Sequence, residues 1–360
     1  MKRYFVLIVF LLIASLMAGC AGTPVVYYSD CTCPTGSHEE AAVNVETTAP
    51  AAEGALKTGL SIVTNVGDSK SAAGEENGEG KYDVTMVAVL VDDHGVIQDC
   101  IIDGIAASVK FDASGVITTD LTAPIQTKNE LGANYGMVAY GGAVAEWDEQ
   151  AAALASFAVG KTVEELRNGA IDETGKAPAG SDLATSATIY LGGYVSAIEK
   201  AVAGAAHLGA QAGDSLKLAS MNAVDSSAAA TAEKAGTAQL DATVTAMTMN
   251  GDIITSCVID SVQAKVSFDT AGAITSDVTA PVQTKNELGE NYGMVAYAGA
   301  IAEWDEQAAA FASYITGKTA EEVMGIAVTE TTKPADADLA ASVTIAIGGF
   351  QQLIQKAAQG

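Results

Sequence analysis

The feature of this sequence that most constrains its fold is a long internal duplication. The stretch "APIQTKNELGANYGMVAY" at 123–140 recurs as "APVQTKNELGENYGMVAY" at 280–297, with two differences in eighteen positions. Repeats of about 150 residues have the size of domains rather than of solenoid units. We therefore predict two copies of one domain, at 55–206 and 212–360, each with its own hydrophobic core.

Each copy mixes strand and helix patterns. In the first copy, "YDVTMVAVLVDDHGVIQDCIIDGI" alternates apolar and polar residues around "DDHG", which predicts two strands and a hairpin turn, and "SVKFDASGVIT" predicts a second hairpin that turns at Gly115. The segment "EWDEQAAALASFAVG" predicts a helix that buries Trp147 and ends at Gly160, and "KTVEELRNG" predicts a short helix capped by Thr162. A last helix is predicted to begin near Thr188. The predicted fold class is α+β, with a small antiparallel sheet and helices packed on it.

The N-terminus resembles an export signal. Lys2 and Arg3 precede an apolar run that is too short to span a bilayer, and "LMAGC" places Cys20 where a lipobox has its lipidated cysteine. The other interpretation is an ordinary secretory signal with Cys20 at the cleavage site by chance. We predict a lipoprotein signal peptide at 1–19, and the lipidated Cys20 with a flexible tether at 20–54. The lipid would then anchor the chain to the extracytoplasmic face of a bacterial cell membrane.

Charge and motif content exclude several function classes. The formal net charge is −26, and nucleic acid binding needs a basic surface. There is no P-loop and no glycine-rich dinucleotide-binding turn. The histidines, His38, His94 and His207, are not duplicated, so a catalytic or zinc-binding histidine is not expected.

The cysteines do not form a disulfide framework. For Cys31 and Cys33, in the tether, three interpretations stay open: a strained vicinal disulfide, a metal contact or idle thiols. Cys100 and Cys257 lie in strand-like segments, where a small buried residue is expected.

Two aromatic positions and one lysine recur in both copies. The aromatic residues are Trp147 and Tyr135, with Trp304 and Tyr292 as their equivalents. They could stack on a planar ligand, but core packing is favoured because aromatic residues on alanine-rich helices are usually buried anchors. Lys128 and Lys285 could meet a phosphate or a carbonyl group. A capping turn that needs only Thr127 and Glu130 explains their segment almost as well.

The strongest motif closes the first copy. "DLATSAT", from Asp182 to Thr188, resembles the D-x-x-(S/T)-(G/A/S)-A-T sequence at which FMN transferases of the ApbE type attach flavin. The resemblance implies that Thr188 accepts FMN through a phosphoester, that Asp182 is the leading acid, and that Thr185 and Ser186 are the small polar positions before the acceptor. Small neighbours would let the hydroxyl enter a transferase, and a helix starting at Thr188 would stabilise the phosphodiester. A plain threonine N-cap is the alternative.

The second copy departs from this pattern. "DLAASVT" keeps Asp338 and Thr344 but has Ala341 where Ser or Thr is expected and Val343 where Ala is expected. FMN on Thr344 is a weaker expectation, because a branched Val343 beside the acceptor could slow the transferase.

Taken together, the lipobox, the tether and two copies with "TKNELG", "NYGM", "EWDEQA" and a closing threonine motif resemble the PplA family of surface flavoproteins from Gram-positive bacteria. The resemblance implies an electron carrier rather than an enzyme with its own substrate pocket. It also implies a membrane quinol-oxidising electron donor and extracellular acceptors such as ferric iron. The alternatives are a solute-binding or noncovalent flavin-binding lipoprotein, and a structural surface protein without a cofactor.

Overall fold

The computed structural model describes residues 54–360. The predicted signal peptide, the lipidated Cys20 and the tether cysteines Cys31 and Cys33 lie outside the described residues. Within 54–360, no helix combines the length and the apolar character that crossing a bilayer requires.

The first copy is a three-stranded antiparallel sheet followed by short helices. The strands pair in the order β1 (Lys57–Asn65), β2 (Gly78–Val91), β3 (Ile97–Phe111). The helices are α1 (Lys128–Leu131), α2 (Met137–Gly141), α3 (Trp147–Ala158), α4 (Val163–Ala170), α5 (Asp182–Ser186) and α6 (Gly192–Ala203). A 3-10 turn, Gly132–Tyr135, joins α1 to α2.

The second copy repeats this order. Its sheet consists of β4 (Ser215–Ala223), β5 (Gly236–Asn250) and β6 (Ile253–Phe268). Its helices are α7 (Lys285–Leu288), α8 (Met294–Ala298), α9 (Trp304–Ile315), α10 (Ala320–Met324), α11 (Ala337–Ala340) and α12 (Gly348–Gln359), with the 3-10 turn Gly289–Tyr292 after α7. The predicted α+β class is confirmed.

Local turn and cap chemistry sets the element boundaries. The β2–β3 hairpin turns where predicted, because the Asp92 carboxylate accepts the amides of His94 and Val96. Gly115 lies in a turn at φ +70°, but only an isolated bridge follows it, so the second predicted hairpin is a turn without a strand pair. Thr162 caps α4 through a capping box, as its sequence predicts.

Alternate residues of β2 face two different layers. Val87, Val89 and Val91 pack on the helices of the first copy. Met86, Ala88 and Leu90 point the other way and pack against the second copy. The layers therefore run helix, sheet, sheet, helix. Both faces of each sheet are covered, which explains why the strands are apolar on both sides.

The two sheets share a core that the sequence analysis did not predict. Phe111 stacks on Phe268, its equivalent in the second copy, with ring centroids 3.8 Å apart and planes 3° from parallel. Each copy also has its own core between sheet and helices, as predicted. The shared core makes the two copies a single packed body.

Reciprocal ion pairs flank this shared core. Lys200 on α6 contacts Glu287 of the second copy at 2.7 Å, and Lys356 on α12 contacts Glu130 of the first copy at 2.6 Å. The pairs occupy equivalent positions, so an approximate two-fold axis relates the copies. Each of these glutamates also belongs to the capping box of its own copy.

Candidate functional site: the threonine loops

The predicted acceptor Thr188 lies in a loop between two helices. Helix α5 begins at the cap Ser181 and ends where the amide of Ala187 donates to the carbonyl of Leu183 at 2.8 Å. Thr188 follows with its side chain exposed, and α6 begins only at Gly192. We call the connection 187–191 the threonine loop. The prediction that the last helix begins near Thr188 was wrong.

The late start of α6 has a local cause. The amides of Leu191 and Gly192 both donate to the carbonyl of Gly175, at 2.8 and 3.0 Å, so this part of the chain is held by the preceding loop. The first helical bond runs from Val195 to Leu191. Thr188 therefore does not cap α6, and the helix dipole does not act at its hydroxyl.

A buried glutamine holds Thr188 instead. Gln150 on α3 is fully buried, and its Oε1 accepts the Thr188 amide at 2.8 Å, the Thr188 hydroxyl at 3.3 Å and the Ile189 amide at 3.2 Å. Its Nε2 donates to the carbonyl of Ala145 at 2.9 Å. One side chain thus fixes the threonine loop and the loop before α3, and we call it the glutamine clamp.

The second copy builds the same clamp. Gln307 accepts the Thr344 amide at 2.8 Å, its hydroxyl at 3.1 Å and the Ile345 amide at 3.2 Å, and donates to Ala302 at 2.8 Å. The side chain of Val343 is buried in the core, so the branched residue beside Thr344 points inward. The steric objection to Thr344 is therefore weakened.

The other predicted site residues lie on the outer surface of the motif. Asp182, Thr185 and Ser186 are exposed, and the Thr185 hydroxyl donates to the carbonyl of Asp182 at 2.7 Å. Asp338 is exposed at the equivalent position. Within residues 54–360, neither carboxylate hydrogen-bonds its threonine hydroxyl. The structure thus brings Thr188 together with Gln150, whereas the leading acids Asp182 and Asp338 lie exposed at the start of each motif.

An exposed apolar segment adjoins each clamp. Glu146 accepts the amides of Met137 and Val138 at 2.8 and 3.1 Å, which closes the segment 137–145, α2 and the residues after it, into a loop. In this loop the Tyr140 side chain is 93% exposed.

The exposed side chains repeat in the second copy. Val144 is 66% exposed, and its equivalent Ile301 is 58% exposed. Tyr297 matches Tyr140 with 91% exposure. Because Gln150 binds the carbonyl of Ala145, the residue after Val144, this apolar segment adjoins the threonine loop.

The aromatic residues and lysines of the repeat pack beneath this surface. Lys128 lies 4.8 Å from the Trp147 ring and pairs with Asp83 at 3.0 Å, and Trp147 donates to the Tyr194 hydroxyl at 3.0 Å. Both tryptophans are buried, as predicted. Thr127 and Glu130 form the expected capping box.

The two lysines differ in their charge environment. Burial acts to lower the pKa of Lys128, but the neighbouring Asp83 carboxylate and tyrosines raise it overall. Burial lowers the pKa of Lys285, which lies 4.7 Å from the Trp304 ring and has no carboxylate within ion-pair distance in the described part of the chain. The two copies are thus alike in shape and unlike in local electrostatics.

Sequence reasoning missed the glutamine clamp and the apolar segment. Both signals were present, since "EWDEQA" and "NYGMVAY" recur in the two copies, and a glutamine on the buried face of an alanine-rich helix needs a partner.

Comparison with protein-family models, curated proteins and solved structures finds no match to this chain. Among residues 54–360 there is also no group of three or more His, Cys, Asp or Glu side chains placed to hold a metal ion.

Proposed function

We propose that this chain is a surface-anchored electron carrier with FMN joined by a phosphoester to Thr188 and to Thr344. The observation that carries the proposal is the duplicated clamp, in which a fully buried glutamine accepts a hydrogen bond from a threonine hydroxyl on a surface loop. This arrangement supports a role for the hydroxyl itself, because a threonine that served only as a helix cap would use it on the helix backbone.

The attachment step involves one hydroxyl of this chain. Thr188 Oγ1 forms the bond to the FMN phosphorus of FAD, the bond to the AMP moiety breaks, and AMP leaves. The hydroxyl proton passes to a base of the ApbE-type transferase. After the hydroxyl proton is lost, Gln150 Oε1 still accepts hydrogen bonds from the amides of Thr188 and Ile189, so the loop keeps its position.

The surroundings of each threonine fit such a group. Ser186 and Ala187, which precede Thr188, are small, and the larger Leu183 and Ile189 pack into the core rather than over the hydroxyl. The exposed Tyr140 and Val144 offer an apolar surface for a flat aromatic ring. The phosphodiester would lie in water at the surface, where a charged group needs no buried partner.

When bound, FMN supplies one-electron and two-electron redox chemistry, and the protein contributes position and electrostatics. Anchoring by Cys20 and the tether at 20–54 would keep the carrier near a quinol-oxidising donor in the membrane. Extracellular acceptors such as ferric iron would then receive the electrons. Covalent attachment prevents loss of the flavin from a protein outside the cell.

Peptide mass spectrometry after coexpression with an ApbE-type transferase tests the proposal. We expect an FMN adduct on the peptides that contain Thr188 and Thr344, lost singly in Thr188→Ala and Thr344→Ala. Ser196→Ala and Thr331→Ala, which remove exposed hydroxyls outside the two motifs, are the matched controls and should keep both adducts.

The other outcomes separate the rival functions. A wild-type chain without adduct, beside a control substrate that the same transferase modifies, would reject the proposal. Flavin released by denaturation would instead indicate noncovalent binding. A chain that holds no flavin in either assay would indicate a structural surface protein.

A further inference from the structure

A cleft lies between β3 and α3 on the side of α3 away from the threonine loop. Its volume is about 530 Å³, within the usual range for small-molecule sites. The floor contains Cys100 and Ile102, and α3 contributes Asp148, Ala152 and Ala155. The alanines leave room where larger side chains would close the gap between helix and sheet.

The second copy has the same cleft, with a volume of about 520 Å³. Six lining positions recur: Cys257, Ile259, Asn286, Asp305, Ala309 and Ala312 replace Cys100, Ile102, Asn129, Asp148, Ala152 and Ala155. Asp99 lines the first cleft alone, and His207 and Leu208 line the second cleft alone. Both copies therefore keep an open cleft with an aspartate and an asparagine at one end.

One carboxylate oxygen in each cleft lacks a partner. Asp148 Oδ1 and Asp305 Oδ1 are buried and accept no hydrogen bond within the described chain. A buried acceptor without a donor is unfavourable, and more so when it is charged. No lysine or arginine lines either cleft.

An asparagine adds a second acceptor beside each carboxylate. Asn129 donates its amide group to the carbonyl of Ile102 at 3.0 Å, and Asn286 donates to Ile259 at 3.1 Å, which leaves the side-chain carbonyl of each as an acceptor. Both clefts thus combine acceptors at one end with an apolar floor. The carboxylate and amide oxygens of each cleft, even with Asp99 added in the first, are too few ligands for a coordinated metal ion.

We propose that each cleft binds a small organic cation, with an ammonium group at Asp148 or Asp305 and a hydrocarbon body along the alanines. An ammonium group supplies the hydrogen-bond donors and the positive charge that the carboxylate lacks. The net charge of −26 would raise the local concentration of such cations. Asp148 and Gln150 lie on opposite sides of α3, two residues or about 200° apart, so this site is independent of the threonine loop.

Site-resolved NMR of the full chain with n-pentylammonium tests the proposal. We expect saturable shifts at the amides of Ala152 and Ala309, with binding about ten-fold weaker for neutral n-pentanol and absent for pentanoate. Asp148→Asn should abolish the response at Ala152 and keep that at Ala309, and Asp305→Asn should do the reverse. Ala152→Leu should block the first cleft while leaving its carboxylate in place.

Glu164→Gln, which neutralises an exposed acid on α4, is the matched control and should keep both responses. Equal binding of n-pentylammonium and n-pentanol by the wild-type chain would overturn the proposal without any variant. Shifts spread over exposed acidic residues instead of the two clefts would also overturn it, since they would report attraction to the surface alone.

Discussion

The ring of Tyr190 lies against the backbone of Gly175, where a Cβ atom would overlap it. In the second copy the matching residues are Thr332 and Ala346, so the loss of the large ring makes room for a side chain. Thr332 nevertheless has φ +57°, and it is the single non-glycine residue with positive φ among those described. Its carbonyl accepts the amide of Ile347 at 2.8 Å, which keeps the strained turn against the Thr344 loop.

We expect Thr332→Gly to raise the free energy of unfolding by about 1 kcal/mol, because glycine adopts this conformation without the steric strain of a β-branched residue. Gly175→Ala should lower it, through overlap with Tyr190. Denaturant titrations measure both changes. Because Gly175 has φ +74°, an alanine there is strained even without the ring, so the double variant Gly175→Ala/Tyr190→Ala should recover only the part of the loss that comes from the overlap. An equal loss with and without Tyr190 would contradict this explanation.

The glutamine clamp predicts a site-specific effect on modification. If Thr188 and Thr344 carry FMN as proposed, Gln150→Ala, which removes the acceptor of the Thr188 hydroxyl, should slow attachment at Thr188 by about ten-fold or more and leave the rate at Thr344 unchanged. Quantitative mass spectrometry of the two peptides in one sample measures both rates. Gln307→Ala should give the opposite pattern, and a parallel fall at both sites in either variant would point to general destabilisation.

The shared core predicts that the two copies unfold together. The chain has two tryptophans, Trp147 in the first copy and Trp304 in the second. In Trp147→Phe and Trp304→Phe, the remaining tryptophan reports on one copy, and within each variant its fluorescence transition should have the same midpoint as the circular-dichroism transition of the whole chain. Separate midpoints would mean that the copies are independent domains.

The Phe111–Phe268 stack is the natural place to perturb this cooperativity. Phe111→Ala should cost about 3–5 kcal/mol, since it removes a fully buried ring that contacts the other copy. Both tryptophan reporters should shift by the same amount. A shift confined to Trp147 would show that the stack stabilises one copy alone.

Asp260 gives a prediction for the pH dependence of stability. Burial raises the pKa of Asp260 to about 6, although hydrogen bonds from Thr284, Asn286 and Ser261 act to lower it. An unfolded aspartate titrates near pH 4, so the folded state binds more protons between about pH 4 and pH 6, and the free energy of unfolding falls as the pH rises through this window. Burial also raises the pKa of Asp103, the equivalent residue of the first copy, so Asp260→Asn should make that fall smaller without abolishing it, and should stabilise the protein by roughly 2 kcal/mol at pH 7.

Chemical unfolding at several pH values measures this effect. The exposed Glu164→Gln should leave the pH profile unchanged. A profile of Asp260→Asn parallel to that of the wild type would show that the carboxyl group titrates normally in the folded protein.

Much of the fold could be predicted because its signals are local. The alternation around "DDHG" specified the β2–β3 hairpin, and the capping threonines Thr127 and Thr162 marked helix starts correctly. The burial of Trp147 followed from its place on an alanine-rich helix. These features depend on neighbours within a few residues in the sequence.

The parts that could not be predicted depend on distant partners. Thr188 has the chemistry of a helix cap, and the fact that its amide and hydroxyl donate to Gln150 instead depends on a residue distant in the sequence. The shared core needed knowledge of which face of β2 meets the second sheet. Period-two alternation shows that a strand has two faces and does not say what covers each of them.

The stack of Phe111 on Phe268 is a contact between a residue and its own equivalent in the other repeat. Such self-matching contacts arise at the symmetry axis of an isologous dimer. A chain with one copy would present the same apolar sheet face and could bury it by pairing with another molecule of itself. The duplicated chain is therefore a dimer in covalent form, in which each half is free to change separately, as Thr332 and Ala346 have done.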